Sequence, residues 1–155
     1  MAHKSGEILA QIFLFLFPII VFYLFRKNKT INKRKSVFLF FLLSWLIYVL
    51  PMWLRNAIEN KSVLFWFGFI PNFGCVMALP LAFLYNNELT YQQAKSKLLK
   101  LSFISLFIIL LYELIQLLPG YGYFDIKDIL MTFLGFITVN IIFRMNEKYF
   151  CKAFE

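Results

Sequence analysis

Histidine is nearly missing from this chain. The single one, His3, stands in the terminal segment, so no Ser/His or Cys/His pair is available for nucleophilic catalysis. Cysteine is scarce too, with Cys75 inside a hydrophobic run and Cys151 in the tail. The two fall at different depths, which predicts no disulfide and reads both as packing residues. Charge is the third shortage. Only 15% of the residues are charged, against about 25% in a soluble domain, and this excludes an ordinary water-facing globule. Negative charge is the scarcer sign, with eight Asp or Glu against sixteen Lys or Arg.

What is present is apolar. Hydrophobic residues make up 61% of the chain, and they fall in long runs near the roughly 20 residues that cross a bilayer as a helix. The reading is an all-α, polytopic transmembrane bundle, one domain over residues 1–155, with about five spans. These are expected near 7–25, 37–54, 63–85, 101–118 and 126–143. The first carries Pro18, which a membrane helix tolerates when neighbours satisfy the freed carbonyl. It reads as a retained span rather than a signal peptide, being long for an apolar leader core and lacking a small-residue cleavage site. The third, with Pro71, Asn72, Gly74 and Pro80, is expected to be the least regular. Residues 86–100 read as a polar, amphipathic loop.

A net charge of +8 would suit nucleic acid, but no nucleic-acid-binding motif or Arg-aromatic platform accompanies it. In a polytopic protein basic residues set topology instead. With five spans, Lys4, Arg55, Lys61 and Lys127 fall on one side, and the other twelve of the sixteen Lys and Arg on the opposite side. The excess marks the cytoplasmic face, so the N-terminus is expected outside and the C-terminus in the cytoplasm. The basic segment 26–35 would meet anionic lipid there.

The polar side chains gather in one stretch, Tyr112 to Gly135. Glu113 and Gln116 stand three apart near the end of the fourth run, and Asp125 and Asp128 three apart at the start of the fifth. This spacing puts each pair on one helix face. The short hairpin between the runs keeps the two pairs adjacent, near the outer leaflet. A structural role covers part of this: Asp125 suits a helix N-cap and Asp128 the N3 position behind it. Glu113 is harder to explain structurally, since a carboxylate within a span costs about 3 kcal/mol near the membrane centre and less towards the end. Such a residue faces the bundle interior and has a partner or a task. Asn72 in the third span is either a polar tie between helices or a ligand contact. Thr132 follows on the face of Asp128, and Gly135 is expected to allow close helix packing.

Three carboxylates without a fixed cation repel one another. Either a cation joins them or one holds a proton. Oxygen ligands of this kind suit Mg²⁺, Ca²⁺ or Mn²⁺ better than zinc. Lys127 is the basic residue near enough in sequence to loop back. No catalytic residue can be assigned. The segment before Asp125 lacks the glycine that intramembrane aspartyl proteases place before their aspartate, and the glycines and further aspartates of lipid headgroup transferases are missing.

The stretch resembles the signature of VanZ-like bacterial membrane proteins: Glu113-x-x-Gln116, Pro119-Gly120, Phe124-Asp125-Ile126-x-Asp128, then Gly135. The likeness covers about 25 residues, with a weaker echo around Asn72. It implies a small multi-pass protein of the bacterial cell membrane that affects the cell envelope or sensitivity to teicoplanin-type glycopeptides. Its partners would be membrane lipids and a lipid-linked or envelope ligand, held in an outward-facing pocket of Glu113, Gln116, Asp125, Asp128, Asn72 and Thr132. Two positions depart from the family. Gly122 stands where an Arg is usual, which removes the natural cation partner of the carboxylates, and Thr132 stands where an Asn is usual. Two other classes fit the same residues: a metal-assisted enzyme acting on a lipid headgroup, or a helper or immunity-type subunit without catalysis.

Overall fold

The computed structural model describes residues 16–27, 34–84, 89–118, 124–151 and 153–154. Every regular element among them is helical. Residues 16–27 form α1, and the part of the expected first span before residue 16 lies outside the described residues. Then come α2 (Lys35–Leu54), a 3₁₀ turn (Arg55–Ala57), α3 (Lys61–Ala82), α4 (Tyr91–Ile115), α5 (Ile126–Met145) and the short α6 (Glu147–Cys151). Four of these, α2 to α5, are long and apolar enough to cross a membrane, as expected of a multi-pass membrane protein.

Local chemistry starts each helix where it starts. Asn60 caps α3, its side-chain oxygen accepting from the Ser62 and Val63 amides. Thr90 and Gln93 form a reciprocal capping box at the head of α4, which satisfies two otherwise orphaned donors. That box corrects the reading of residues 86–100 as a loop: the helix begins at Tyr91, and its polar first turns lead into the apolar run. Asp125 caps α5, accepting from the Lys127 amide at 2.9 Å, as its sequence position implies.

The third span differs from expectation in being a continuous helix, with Pro71 and Pro80 inside it. Each proline removes one intrahelical donor, so the carbonyls of Phe67 and Val76 lose their usual partners. α3 is the central helix and packs against α2, α4 and α5. Glycine makes two of these crossings. A methyl group placed on Gly74 would lie 2.5 Å from the Tyr48 backbone nitrogen in α2, and one on Gly135 would lie 2.6 Å from the Phe73 carbonyl oxygen in α3. No side chain fits at either point.

The helices alternate in direction, which gives the bundle two unlike ends. One end is closed by the apolar core. The start of α2 (Val37, Phe41, Trp45), the end of α3 (Met77 to Leu84), the start of α4 (Tyr91, Ala94, Leu98) and the end of α5 (Val139, Phe143) meet there, with Val21 and Phe25 of α1. Phe143 stacks between Tyr91 and Phe150, with ring centroids 5.7 and 4.6 Å away. The Tyr91 hydroxyl donates to the Phe143 carbonyl at 2.9 Å, so the ring's polar tip is satisfied. Arg34 fastens this end. It is 2% exposed, donates to the Leu84 and Leu89 carbonyls at 2.6 and 3.4 Å, and lies 4.2 Å over the Phe154 ring. Burial lowers its guanidinium to about 10, which leaves it charged at neutral pH.

The outside of the bundle is also apolar. Leu39, Leu43, Leu46 and Leu50 of α2, Phe103 and Phe107 of α4, and Leu130, Leu134, Ile137 and Ile141 of α5 are all exposed, Phe107 to 68%. At most 33% of the most apolar window of any long helix is buried within the protein. A water-facing helix would place polar residues on such surfaces; hydrocarbon is the solvent that suits them. Polar side chains inside the spans bond back to their own helices. Ser44, Ser102, Ser105, Thr132 and Asn140 each donate to the carbonyl four residues earlier.

Candidate functional site

The other end of the bundle is where the acidic stretch lies, and there the helix ends part around a cavity of about 630 Å³. Each long helix contributes a wall. The end of α2 gives Tyr48 and Met52, with Arg55 beginning the turn beyond it. The first half of α3 gives Phe65, Gly68, Phe69, Pro71 and Asn72, the end of α4 Tyr112, Glu113 and Gln116, and the head of α5 Asp125 and Asp128. Pro71 matters locally, because the carbonyl it deprives of a donor belongs to Phe67, itself a wall residue.

Glu113 stands at the back of this cavity, 2% exposed. The Asn72 amide donates to its Oε1 at 2.9 Å, and the Gln116 amide donates to its Oε2 at 3.1 Å. A carboxylate taken out of water requires hydrogen bonds, and both oxygens have one. Neither donor carries charge. Asn72 is thereby the tie between α3 and α4 that its place in the third span allowed, and it also lines the cavity.

The two aspartates are held differently. Asp125 faces the open side, with its Oδ1 on the Lys127 amide and its Oδ2 3.7 Å from the Lys127 ammonium. That ammonium also sits 4.2 Å over the Phe65 ring, so Lys127 does loop back to the acidic group. Asp128, one turn into α5, has a buried Oδ1 with no hydrogen-bond partner. An unmet acceptor of this kind costs about 1–3 kcal/mol, and here it belongs to a residue of the cavity wall.

Five of the six residues singled out in the sequence, Asn72, Glu113, Gln116, Asp125 and Asp128, therefore meet at one cavity. Thr132 does not. It is fully buried, its hydroxyl donates to the Asp128 carbonyl at 2.6 Å, and it acts on the site only through the first turns of α5. Among the described residues no three His, Cys, Asp or Glu side chains are gathered as a metal ion requires. Gly122, where an arginine was expected by resemblance, lies outside the described residues. Comparisons with protein-family models, with curated proteins and with solved structures found no match to this chain.

Arg55 is the charged lining residue that the sequence pattern does not single out. It stands in a short polar loop, where a basic residue reads as a topology signal. The signal was available: alternating spans place the loop after α2 and the hairpin after α4 on the same side. Tyr48, Phe65, Phe69 and Tyr112 were missed because an aromatic in an apolar run carries no mark of which ones face a cavity. The result is a pocket with three carboxylates, one arginine and aromatic walls, of a size within the roughly 300–1,000 Å³ typical of small-molecule sites.

Proposed function

We propose that this is a VanZ-like protein of a bacterial cytoplasmic membrane. In this reading it binds a lipid-linked or surface ligand in an outward-facing pocket and thereby alters envelope properties, including sensitivity to teicoplanin-type glycopeptides. The observation that carries the reading is the meeting of Asn72, Glu113, Gln116, Asp125 and Asp128 at one cavity. These are the positions on which the sequence resemblance rests. Arg55, on the same wall, restores a cation to a site whose usual arginine is replaced by Gly122.

The proposed topology has five spans with the N-terminus outside. Its support is the charge split among the described residues, with Arg55, Lys61 and Lys127 towards the cavity end and Arg26, Lys27, Arg34, Lys35, Lys95, Lys97, Lys100, Arg144 and Lys148 towards the closed end. Binding is the reading adopted because the Asn72 and Gln116 amides hold Glu113 in place while each of its oxygens keeps a further lone pair for a ligand's donor.

The test is expression in a susceptible host with measurement of teicoplanin inhibition. Wild type is expected to shift the inhibitory concentration, and the Glu113→Ala/Asp125→Ala double variant, present in the membrane at equal level, is expected to lose the shift. No shift with wild type, or an equal shift with the variant, refutes the reading. Headgroup profiling of the same strains is expected to show unchanged lipid composition, which separates binding from enzymatic modification.

A further inference from the structure

We infer that the cavity takes a zwitterion made of a primary ammonium and a phosphodiester, as in an aminophospholipid headgroup, with the ammonium at Asp128 and Glu113 and the phosphodiester towards Arg55. This rests on the pocket reading above and gives its ligand a chemical class. Three features define that class.

The first is the balance of charge. Glu113, Asp125 and Asp128 line the cavity with Arg55. Lys127 already offsets Asp125 at 3.7 Å. That leaves the Glu113 carboxyl, which has only neutral donors, and Asp128 to meet a ligand's cation, and Arg55 to meet its anion. The second feature is the orphan acceptor. Asp128 Oδ1 is buried and unpartnered, and it needs an N–H or O–H donor. A primary ammonium offers three N–H groups, whereas a quaternary ammonium offers none.

The third feature is that the wall already accepts an ammonium. Lys127 places its own over the Phe65 ring at 4.2 Å while pairing with Asp125, which joins cation–π attraction to a carboxylate. Phe69, Tyr48 and Tyr112 extend the aromatic lining of the same cavity. Arg55 is the one lining group suited to the opposite pole, and its guanidinium matches phosphate oxygens in a fork.

Position favours the lipid source. The cavity opens among helix ends where Trp53, Trp66 and Tyr112 are exposed, and Trp and Tyr mark the headgroup level of a bilayer. Tyr112 belongs to both the exposed set and the cavity wall, so a headgroup could enter sideways from the leaflet.

The test uses the purified full chain in detergent, with thermal unfolding followed as lipids are added. Phosphatidylethanolamine is expected to raise the midpoint. Phosphatidylcholine, which has no N–H, and phosphatidylglycerol, which has no cation, are expected to act at least ten times more weakly. Soluble glycerophosphoethanolamine distinguishes the sources: a weak effect assigns the ligand to the bilayer, and an effect equal to that of the lipid assigns it to a soluble ester of the same chemistry. Asp128→Asn is expected to weaken the phosphatidylethanolamine effect about tenfold, and Arg55→Gln, at an exposed position, provides a second variant with the same expected direction. Equal stabilisation by all three lipids, or an undiminished effect in Arg55→Gln, overturns the inference. If lipid binding fails while the teicoplanin shift still depends on Glu113 and Asp125, the ligand class is wrong and the pocket reading stands. If both fail, both are wrong.

Discussion

A carboxylate buried between membrane helices is costly unless every lone pair that faces protein finds a donor. Glu113 meets that condition with two side-chain amides from different directions, Asn72 across the helix crossing and Gln116 one turn on. Glu113→Ala should therefore strand both amides and lower stability by about 1–3 kcal/mol. Glu113→Gln should cost less, because one acceptor is retained while the new amide faces a donor. Thermal unfolding of both variants in detergent checks the order; a Gln variant less stable than the Ala variant would contradict this account. Asp128 is the opposite case, since its buried oxygen has no donor within the protein. The pair shows two states of an acid at one cavity, one with both oxygens bonded within the protein and one with a buried oxygen left unpartnered.

At the scale of elements, α3 carries the organisation. Its prolines remove donors without ending the helix, and its neighbours approach so closely that two positions accept only glycine. Gly74→Ala and Gly135→Ala each set a methyl group against backbone at 2.5–2.6 Å, where no flexible side chain can give way. Each should destabilise by about 1–3 kcal/mol through overpacking. Gly68→Ala is the control: nothing lies within 4 Å of its methyl position, and replacing a helical glycine by alanine should be neutral to stabilising by up to about 1 kcal/mol. Melting midpoints of the three variants should fall into those two groups. A matching loss in Gly68→Ala would show that helix content, and not the crossing, sets the effect. Close packing at Gly135 was legible from its place on the Asp128–Thr132 face of α5. The same role at Gly74 was not, because Pro71, Asn72 and Pro80 around it pointed to irregularity. A proline within a membrane helix costs one hydrogen bond, and neighbouring helices can keep the segment helical regardless.

The whole molecule is polarised along the bundle axis. Aromatic rings and the buried Arg34 close one end, and a charged cavity opens at the other. In the proposed topology the cavity end faces outward. With Cys75 and Cys151 replaced by serine, a single cysteine at Lys61 should react with a membrane-impermeant maleimide in intact cells, and one at Lys97 should react only after permeabilisation. The reverse pattern would invert the protein and place the pocket in the cytoplasmic leaflet, where an antibiotic acting from outside could not reach it directly.

Sequence by itself determined the class of protein. Long apolar runs with few charges have a favourable place only in hydrocarbon, and within hydrocarbon the backbone must bond to itself, which leaves helices as the outcome. The caps at Asn60, Thr90 and Asp125 are local, so the helix starts follow from residues within three positions of each. The acidic pairs were legible for the same reason: helical periodicity alone puts Glu113 with Gln116 and Asp125 with Asp128. What only tertiary structure decided is which distant residues complete them. Asn72 and Arg55 lie 41 and 58 positions before Glu113 in the chain, and no local pattern tells one polar residue in a span or loop from another. The packing of α3 against α4 brings Asn72 to Glu113, and the alternation of helices returns Arg55 to the same cavity. Thr132 shows the converse, since a residue on the right helical face turned inward to its own backbone. Periodicity assigns a face, and packing decides what that face meets.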